Sequence, residues 1–401
     1  MKQPNRQASK FWYALIQIML WGGYGLILCY CSNFMKSMDF ADGHVSIVLG
    51  LGTALSVIVQ LLLAELIQKI RGLNTARTIA LQGGVVLIAG ILMLQYKNLA
   101  MAAVAGIGIG CVAIQAMPSL ANSLATESEL GGVQVNYPIA RGMGSLAYSV
   151  MTFLAGQLIG KSGIIAVPIL TLAVGIVLLI AAFAFGQVSG IRDEEKTLQE
   201  KTDNTNKKNT GNTFFANYPY LIVFLIGSVL IYTNHGLVST FMQQIVAGKG
   251  AGAEEQGIAI AISGMMELPA MFGFTWLLKK APCAKWLRVS CICFVIKAVL
   301  TLIAPNYMWI YVAQIFQMGG FATYQVGTVE YLGSVIKAED AVRGQTYLAT
   351  TLNAGSLIAF CIGGFICQYA GVNVMVLTAV VLAVTGGAIV WMATAKIKIN
   401  Q

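Results

Sequence analysis

The sequence is poor in charged residues. Asp, Glu, Lys and Arg make up only 10% of its 401 residues, and hydrophobic residues make up 57%. Soluble domains carry about 25% charged residues. The mean hydropathy of +0.74 is correspondingly high. This composition excludes an ordinary cytosolic enzyme and a disordered chain, and we therefore expect an integral membrane protein.

The sequence is also poor in histidine and lacks the common metal-binding, nucleotide-binding and catalytic motifs. The chain has two histidines, and its eight cysteines form no C-x-x-C pair, so a zinc or iron–sulfur site is not expected. There is no G-x-x-x-x-G-K-[ST] loop, which argues against transport driven by ATP on this chain. Neither H-E-x-x-H nor G-x-S-x-G is present. We predict no cofactor, no metal and no enzymatic activity.

Long hydrophobic runs account for most of the chain. A membrane helix needs roughly 20 mostly apolar residues, and a polar linker at 188–215 separates two groups of such runs. We predict an N-terminal bundle at 1–187 and a C-terminal bundle at 216–401, each with six spans. The spans lie at about 11–35, 44–66, 77–96, 99–124, 138–160, 163–187, 217–246, 255–278, 286–304, 307–332, 346–369 and 372–395.

The positive charges are distributed unequally between the two sides of these spans. The net charge is +9, and 20 of the 25 Lys and Arg residues lie in the segments on the side of the termini. Only four lie in the opposite loops. The positive-inside rule then places both termini in the cytoplasm, with the protein in the cell (inner) membrane. The net charge is explained by topology, so no nucleic-acid partner is expected.

Short matches recur between the two halves. The pairs are Gly144-Ser145-Leu146 with Gly355-Ser356-Leu357 at a spacing of 211, Arg77 with Arg288 at 211, and Phe34-Met35 with Phe241-Met242 at 207. They indicate two six-helix halves related as parallel repeats. This architecture is typical of a transporter with its substrate site between the halves, near the middle of the membrane.

Polar and aromatic side chains recur on single helix faces of several spans. In lipid such side chains face the bundle or a hydrated cavity. Amides offer donors and acceptors, and aromatic faces stack on rings. For any single Ser or Thr the alternative is a simple hydrogen bond to a neighbouring helix. We predict a cavity for a small polar solute, lined by Trp21, Tyr24, Gln115, Asn122, Tyr148, Tyr232, His235, Gln317, Tyr324 and Asn353.

Three ionisable residues inside the spans require an explanation. Glu267 and Lys297 lie near the middle of the eighth and ninth spans, where a charge costs about 2.5–3.5 kcal/mol. They form either a structural ion pair or a proton or substrate site. His235 is either a hydrogen-bond donor or a proton relay. Arg141, at the start of the fifth span, binds substrate or pairs with Glu127 or Glu129.

Two short motifs carry a family resemblance. Residues 64–72 read A-E-L-I-Q-K-I-R-G, and 141–145 read R-G-M-G-S. The first resembles, in degenerate form, the G-x-x-x-D-[RK]-x-G-[RK]-[RK] loop of the major facilitator superfamily. The second is similar to the R-x-x-G-[SC] signature of its oligosaccharide/nucleoside proton symporter branch, the lactose-permease-like branch. The resemblance implies an all-α membrane protein of twelve helices in two pseudo-symmetric bundles, the major facilitator fold.

The same resemblance implies roles for individual residues. Arg141 and Glu267 would recognise substrate, and Lys297 would take part in proton coupling together with Glu267. Gating residues are expected near the cytoplasmic ends of the spans, namely Glu65, Gln68, Lys69, Arg71, Glu127 and Glu330. Glu65 and Glu330 are included because of their positions in the spans, and they form either structural or gating pairs. The sequence departs from the family where Gln68 replaces an acid, where Ser123 replaces the acidic partner of the arginine, and where 317–320 read Q-M-G-G instead of His-x-x-Glu.

These observations together predict a secondary active transporter. The leading hypothesis is proton-coupled uptake of a small polar solute, a sugar or a nucleoside, by alternating access. The alternative within the superfamily is a drug or metabolite efflux antiporter. A non-transporting sensor or scaffold would need a soluble domain for which the sequence offers no segment. The expected partners are the small-molecule substrate, protons and the lipid bilayer, and the expected state is a monomer.

Overall fold

The computed structural model describes residues 6–70, 72–130, 132–133, 135–189, 214–215, 217–337 and 340–396. The chain forms two compact units, residues 1–205 and 206–401, so that the division falls inside the predicted linker at 188–215. Most of that linker lies outside the described residues.

The first unit is built from seven described helices. Their lengths follow the apolar runs, because a backbone in lipid must satisfy its hydrogen bonds internally and an α-helix does so. They are α1 (Arg6–Cys29), α2 (Cys31–Lys36), α3 (Asp42–Lys69), α4 (Thr75–Met93), α5 (Ala100–Leu130), α6 (Tyr137–Ser162) and α7 (Ala166–Val188). The start of α4 is fixed by Asn74, whose side chain accepts a hydrogen bond from the backbone N–H of Arg77.

The second unit contains eight further described α-helices and a short π-helix. They are α8 (Pro219–Thr240), α9 (Met242–Ala247), α10 (Ala253–Leu278), α11 (Cys283–Ile303), α12 (Tyr307–Ile315), π1 (Met318–Ala322), α13 (Thr323–Val335), α14 (Ala341–Ala370) and α15 (Val372–Lys396). Among the described residues of the whole chain, 11 helices are long and apolar enough to cross a membrane. The prediction of a multi-pass, all-α membrane protein is confirmed.

The tenth predicted span, 307–332, is interrupted and is not one continuous α-helix. It consists of α12, π1 and α13. Between α12 and π1 the backbone tightens, because the Gln317 N–H donates to the Gln314 carbonyl, three residues earlier. It then widens, because the Ala322 N–H donates to the Gln317 carbonyl, five residues earlier. Two adjacent glycines at 319–320 favour such an irregularity, since glycine is a weak helix former.

The first predicted span of each half is also divided, so that 11–35 and 217–246 are each two helices. The division falls at Tyr30 in the first unit and at Phe241 in the second. These two residues are 211 apart in sequence, and so are Asp39 and Gly250, which have φ angles of 61° and 75° in the turns that follow. The spacing of 211 found in the sequence therefore recurs in the backbone.

The repeated glycines have equivalent structural roles. Gly144 on α6 faces the indole of Trp21 on α1 so closely that a Cβ atom would overlap the ring. Gly355 on α14 faces α8, where a Cβ atom would lie 2.6 Å from the Cβ of Tyr232. In each unit a glycine thus lets the fifth predicted span of that half pack closely on its first.

Candidate functional site

A chain of hydrogen bonds fixes the indole of Trp21 in the first unit. The Trp21 Nε1–H donates to Gln17 Oε1 at 3.0 Å, and Gln17 Nε2 donates to the Tyr13 hydroxyl at 2.8 Å. That hydroxyl donates to the backbone carbonyl of Ala121 at 2.9 Å. This series of hydrogen bonds joins α1 to α5 and ends on a backbone carbonyl. The position of the indole therefore does not depend on the rotamer of any side chain in α5.

Arg141 is held against this fixed indole. Its guanidinium carbon lies 3.8 Å from the centroid of the Trp21 ring, and Nη1 donates to Ser145 Oγ at 2.8 Å. The Tyr24 ring lies 5.5 Å from that of Trp21. Arg141, Trp21 and Tyr24 are all half-buried. The structure therefore brings together three of the residues predicted to bind substrate, as a cation beside two aromatic faces.

The other predicted binding residues of the first unit have separate partners. Gln115 Oε1 accepts a hydrogen bond from Thr53 Oγ1 at 3.0 Å, which joins α5 to α3. The exposed Asn122 accepts one from the Tyr137 hydroxyl at 3.1 Å. The Tyr148 hydroxyl lies 3.2 Å from Cys29 Sγ. These contacts tie neighbouring helices of the first unit together.

A single amide connects the two intramembrane charges of the second unit. Lys297 Nζ on α11 donates to Gln317 Oε1 at 2.6 Å, and Gln317 Nε2 donates to Glu267 Oε1 on α10 at 3.0 Å. Lys297 and Gln317 are 4% and 2% exposed. An amide presents an acceptor to the cation and a donor to the carboxylate, so its orientation matches both charges. Gln317, predicted as a substrate ligand, here connects an acid to a base.

An aromatic group lies beside this connection. The imidazole of His235 on α8 stacks on the ring of Phe321 in π1, with 4.0 Å between centroids, and its Nδ1 lies 3.4 Å from Ser239 Oγ. Tyr232 and Tyr324 are almost completely buried. The Tyr232 hydroxyl donates to Gln325 Oε1 at 3.1 Å, and that of Tyr324 lies 2.8 Å from Ser228 Oγ. These contacts hold α8 against π1 and α13.

Sequence reasoning missed Phe321 and Phe294 in this group. The Phe294 ring packs edge-on against His235 and Tyr324, at centroid distances of 6.3 and 5.8 Å. Both phenylalanines lie in apolar runs, so no polar signal distinguished them. Gln17 did carry a signal, since it lies one helical turn before Trp21 on the same face.

The predicted gating residues lie at the ends of helices. Glu65 and Lys69 pair with each other at 3.0 Å within α3, with side chains 58% and 69% exposed. Glu127 Oε1 accepts a hydrogen bond from Thr75 Oγ1 at 2.6 Å, which joins the end of α5 to the start of α4. Three more predicted site residues, Gln68, Glu330 and Asn353, are exposed. Arg71 lies outside the described residues.

Comparison with known proteins identifies the family of the chain. The MFS_1 like family model matches residues 11–383. The chain belongs to the MFS_1-like family. It is therefore a membrane transporter of the major facilitator superfamily. No curated protein matches the sequence.

The solved structures similar to this chain include transporters of different kinds. A mutant of the nucleoside transporter NupG has a TM-score of 0.75 and 14% identity, over 97% of this chain and 100% of that one. A bacterial homologue of the iron transporter ferroportin, in an inward-facing state, has a TM-score of 0.70 and 12% identity, covering 98% and 100%. A bacterial homologue of human drug peptide transporters has 0.62 and 14%, covering 97% of each chain. At these identities the similarity establishes the fold alone.

Proposed function

We propose that this transporter couples the uptake of a small polar solute, a sugar or a nucleoside, to the movement of protons. The observation that carries the proposal is the Glu267–Gln317–Lys297 connection. It contains a carboxylate able to take up and release a proton. It also contains a buried cation whose positive charge is balanced by that carboxylate. Among secondary transporters such intramembrane ionisable groups mark proton and ion pathways.

Protonation of Glu267 changes the electrostatics around Gln317. The neutral acid attracts the Gln317 amide less strongly, and it no longer balances the charge of Lys297. Gln317 lies immediately before π1, so a shift of its side chain acts on the least regular part of the tenth span. In this proposal the proton biases the exchange between inward- and outward-open states through that segment.

The solute-recognition residues proposed for the first unit are Arg141, Trp21 and Tyr24. The guanidinium supplies several N–H donors for hydroxyl or carbonyl oxygens, and the aromatic faces suit a sugar or base ring. NupG, which shares the fold, is a nucleoside transporter, and a nucleoside is one of the two solute classes proposed here. We also propose the inner membrane as its location, both termini cytoplasmic, and a monomer.

Whole-cell uptake distinguishes this function from its rivals. Cells expressing the transporter are given radiolabelled sugars and nucleosides, with and without a protonophore. We expect one solute class to accumulate above its external concentration and the protonophore to abolish that accumulation. Equal uptake in both conditions would contradict proton coupling. Outward movement and drug resistance on overexpression would instead indicate the efflux antiporter. Cells expressing Arg141→Ala serve as the binding-deficient control.

A further inference from the structure

One buried amide in the second unit lies outside the Glu267–Gln317–Lys297 connection. Gln314 on α12 is 1% exposed, and among the described residues neither its Oε1 nor its Nε2 has a hydrogen-bond partner. The buried hydroxyl of Tyr311, three residues earlier on the same helix, also has no hydrogen-bond partner among the described residues. Unpaired buried polar groups are costly and are therefore rare, and ordered water is their usual partner.

The backbone places Gln314 next to the proposed coupling site. Phe316 N–H donates to the Ala313 carbonyl at 3.2 Å, and Gln317 N–H donates to the Gln314 carbonyl at 3.0 Å. Bonds to the third preceding residue tighten the helix to three residues per turn, which aligns side chains i and i+3 on one side. Gln314 therefore lies along the same side as Gln317, which contacts both Lys297 and Glu267.

Tyr311, Gln314 and Gln317 follow one another at intervals of three residues, and Tyr311 is the one nearest the start of α12. Tyr311 lies in the second turn of α12, which packs against α10, and Glu255 lies in the first turn of α10. The topology predicted from the positive charges puts this end of both helices on the outer side of the membrane. Tyr311, Gln314 and Gln317 thus form a polar track from the outer ends of α10 and α12 toward the middle of the bilayer.

We propose that ordered water occupies the track beside Tyr311 and Gln314 and that this water carries protons between the outer side and Glu267. Each transfer forms one O–H bond as the next breaks, so that a proton entering from outside ends on the Glu267 carboxylate and the water chain stays neutral. The amides of Gln314 and Gln317 do not take up or release protons themselves. Each orients water through its N–H donors and its oxygen acceptor. The water site stands independently, whereas the proton route rests on the proposed function.

Radiolytic footprinting tests the water site directly. Microsecond X-ray pulses generate hydroxyl radicals from bound water, and mass spectrometry then measures the labelling of tyrosines in protein reconstituted in lipid nanodiscs. We expect Tyr311 to be labelled several-fold faster than Tyr324, whose buried hydroxyl is paired with Ser228. Gln314→Met, which keeps the volume but removes both polar atoms, should reduce Tyr311 labelling several-fold. Gln82→Met, at a buried amide of α4, is the matched control and should not.

Two labelling results would overturn the water site. Labelling of Tyr311 as slow as that of Tyr324 would show that no water is bound there. Fast labelling that Gln314→Met leaves unchanged would show that the water lies outside the track, at the helix end. If Gln314→Met does not fold, Gln314→Asn takes its place. It shortens the side chain and so moves its polar atoms, and it should lower the labelling of Tyr311 to a smaller extent.

Substrate-driven proton uptake into proteoliposomes tests the route. Gln314→Met and Tyr311→Phe should each slow proton uptake several-fold while leaving solute exchange at equilibrium unchanged. If the wild type takes up protons and both variants match it, the route is wrong. If the wild type takes up no protons although Tyr311 is labelled as expected, the proposed proton coupling fails, the route fails with it, and the water site is retained.

Discussion

The ammonium of Lys297 and the amide oxygen of Gln317 lie 2.6 Å apart, in an environment almost closed to solvent. The second end of the same amide reaches Glu267. A single uncharged side chain on the tenth span therefore holds an acid from α10 and a base from α11 in one connection.

Removing the amide should uncouple the two charges. In Gln317→Met the side chain keeps its size but can neither accept from Lys297 nor donate to Glu267. We expect uphill accumulation to be lost and solute counterflow to persist, because counterflow needs alternation but no net proton movement. Counterflow and accumulation are measured in the same vesicles. Gln244→Met, at a buried amide of α9, is the matched control, and equal accumulation by both variants would refute the role of Gln317.

The charges of Glu267 and Lys297 should stabilise each other. Removing one partner of a fully buried pair costs about 3–5 kcal/mol, and because Glu267 is only half-buried we expect about 1–3 kcal/mol for Glu267→Gln. The double variant Glu267→Gln with Lys297→Met removes both charges and should recover most of that loss. Thermal unfolding in detergent measures both. A double variant less stable than either single variant would show that the charges do not compensate each other.

Replacing the guanidinium should weaken solute binding. Arg141→Lys keeps the charge but loses the planar group that lies over Trp21, and with it the donor fork. We expect the apparent affinity to fall about 10-fold, which corresponds to ~1.4 kcal/mol. The control is Arg288→Lys, at an arginine 5.3 Å from the Trp391 ring, which should leave affinity unchanged. Uptake kinetics over a range of solute concentrations provide the measurement.

The repeated glycines should tolerate no side chain. Gly144→Ala and Gly355→Ala each place a methyl group against a packed side chain of the neighbouring helix, and overpacking of this kind costs about 1–3 kcal/mol. At Gly273 and Gly333 an added Cβ meets no atom within 4 Å in the part of the chain that the structure describes. Alanine there should be neutral or should raise stability by about 0.5–1 kcal/mol, because it lowers the entropy of the unfolded chain. Equal melting temperatures for the two pairs of variants would contradict the close helix contacts.

Much of the fold could be predicted from the sequence, because apolar run length and charge bias act locally. The same reasoning singled out Glu267 and Lys297, since charges are rare in such runs. It could not predict that Gln317 lies between them, because that contact depends on how three separate spans pack. It also missed the break at π1, which results from a change in backbone hydrogen bonding over a few residues. Phe321 was missed because an apolar residue in an apolar run gives no signal.

The central claim is that Glu267 carries the proton that drives transport. Its most direct test is substrate-driven proton uptake into proteoliposomes that contain wild type or Glu267→Gln, with solute counterflow measured in the same preparation. The account predicts proton uptake by the wild type, none by Glu267→Gln, and counterflow partly retained by the variant. Undiminished proton uptake and uphill accumulation by Glu267→Gln would contradict it.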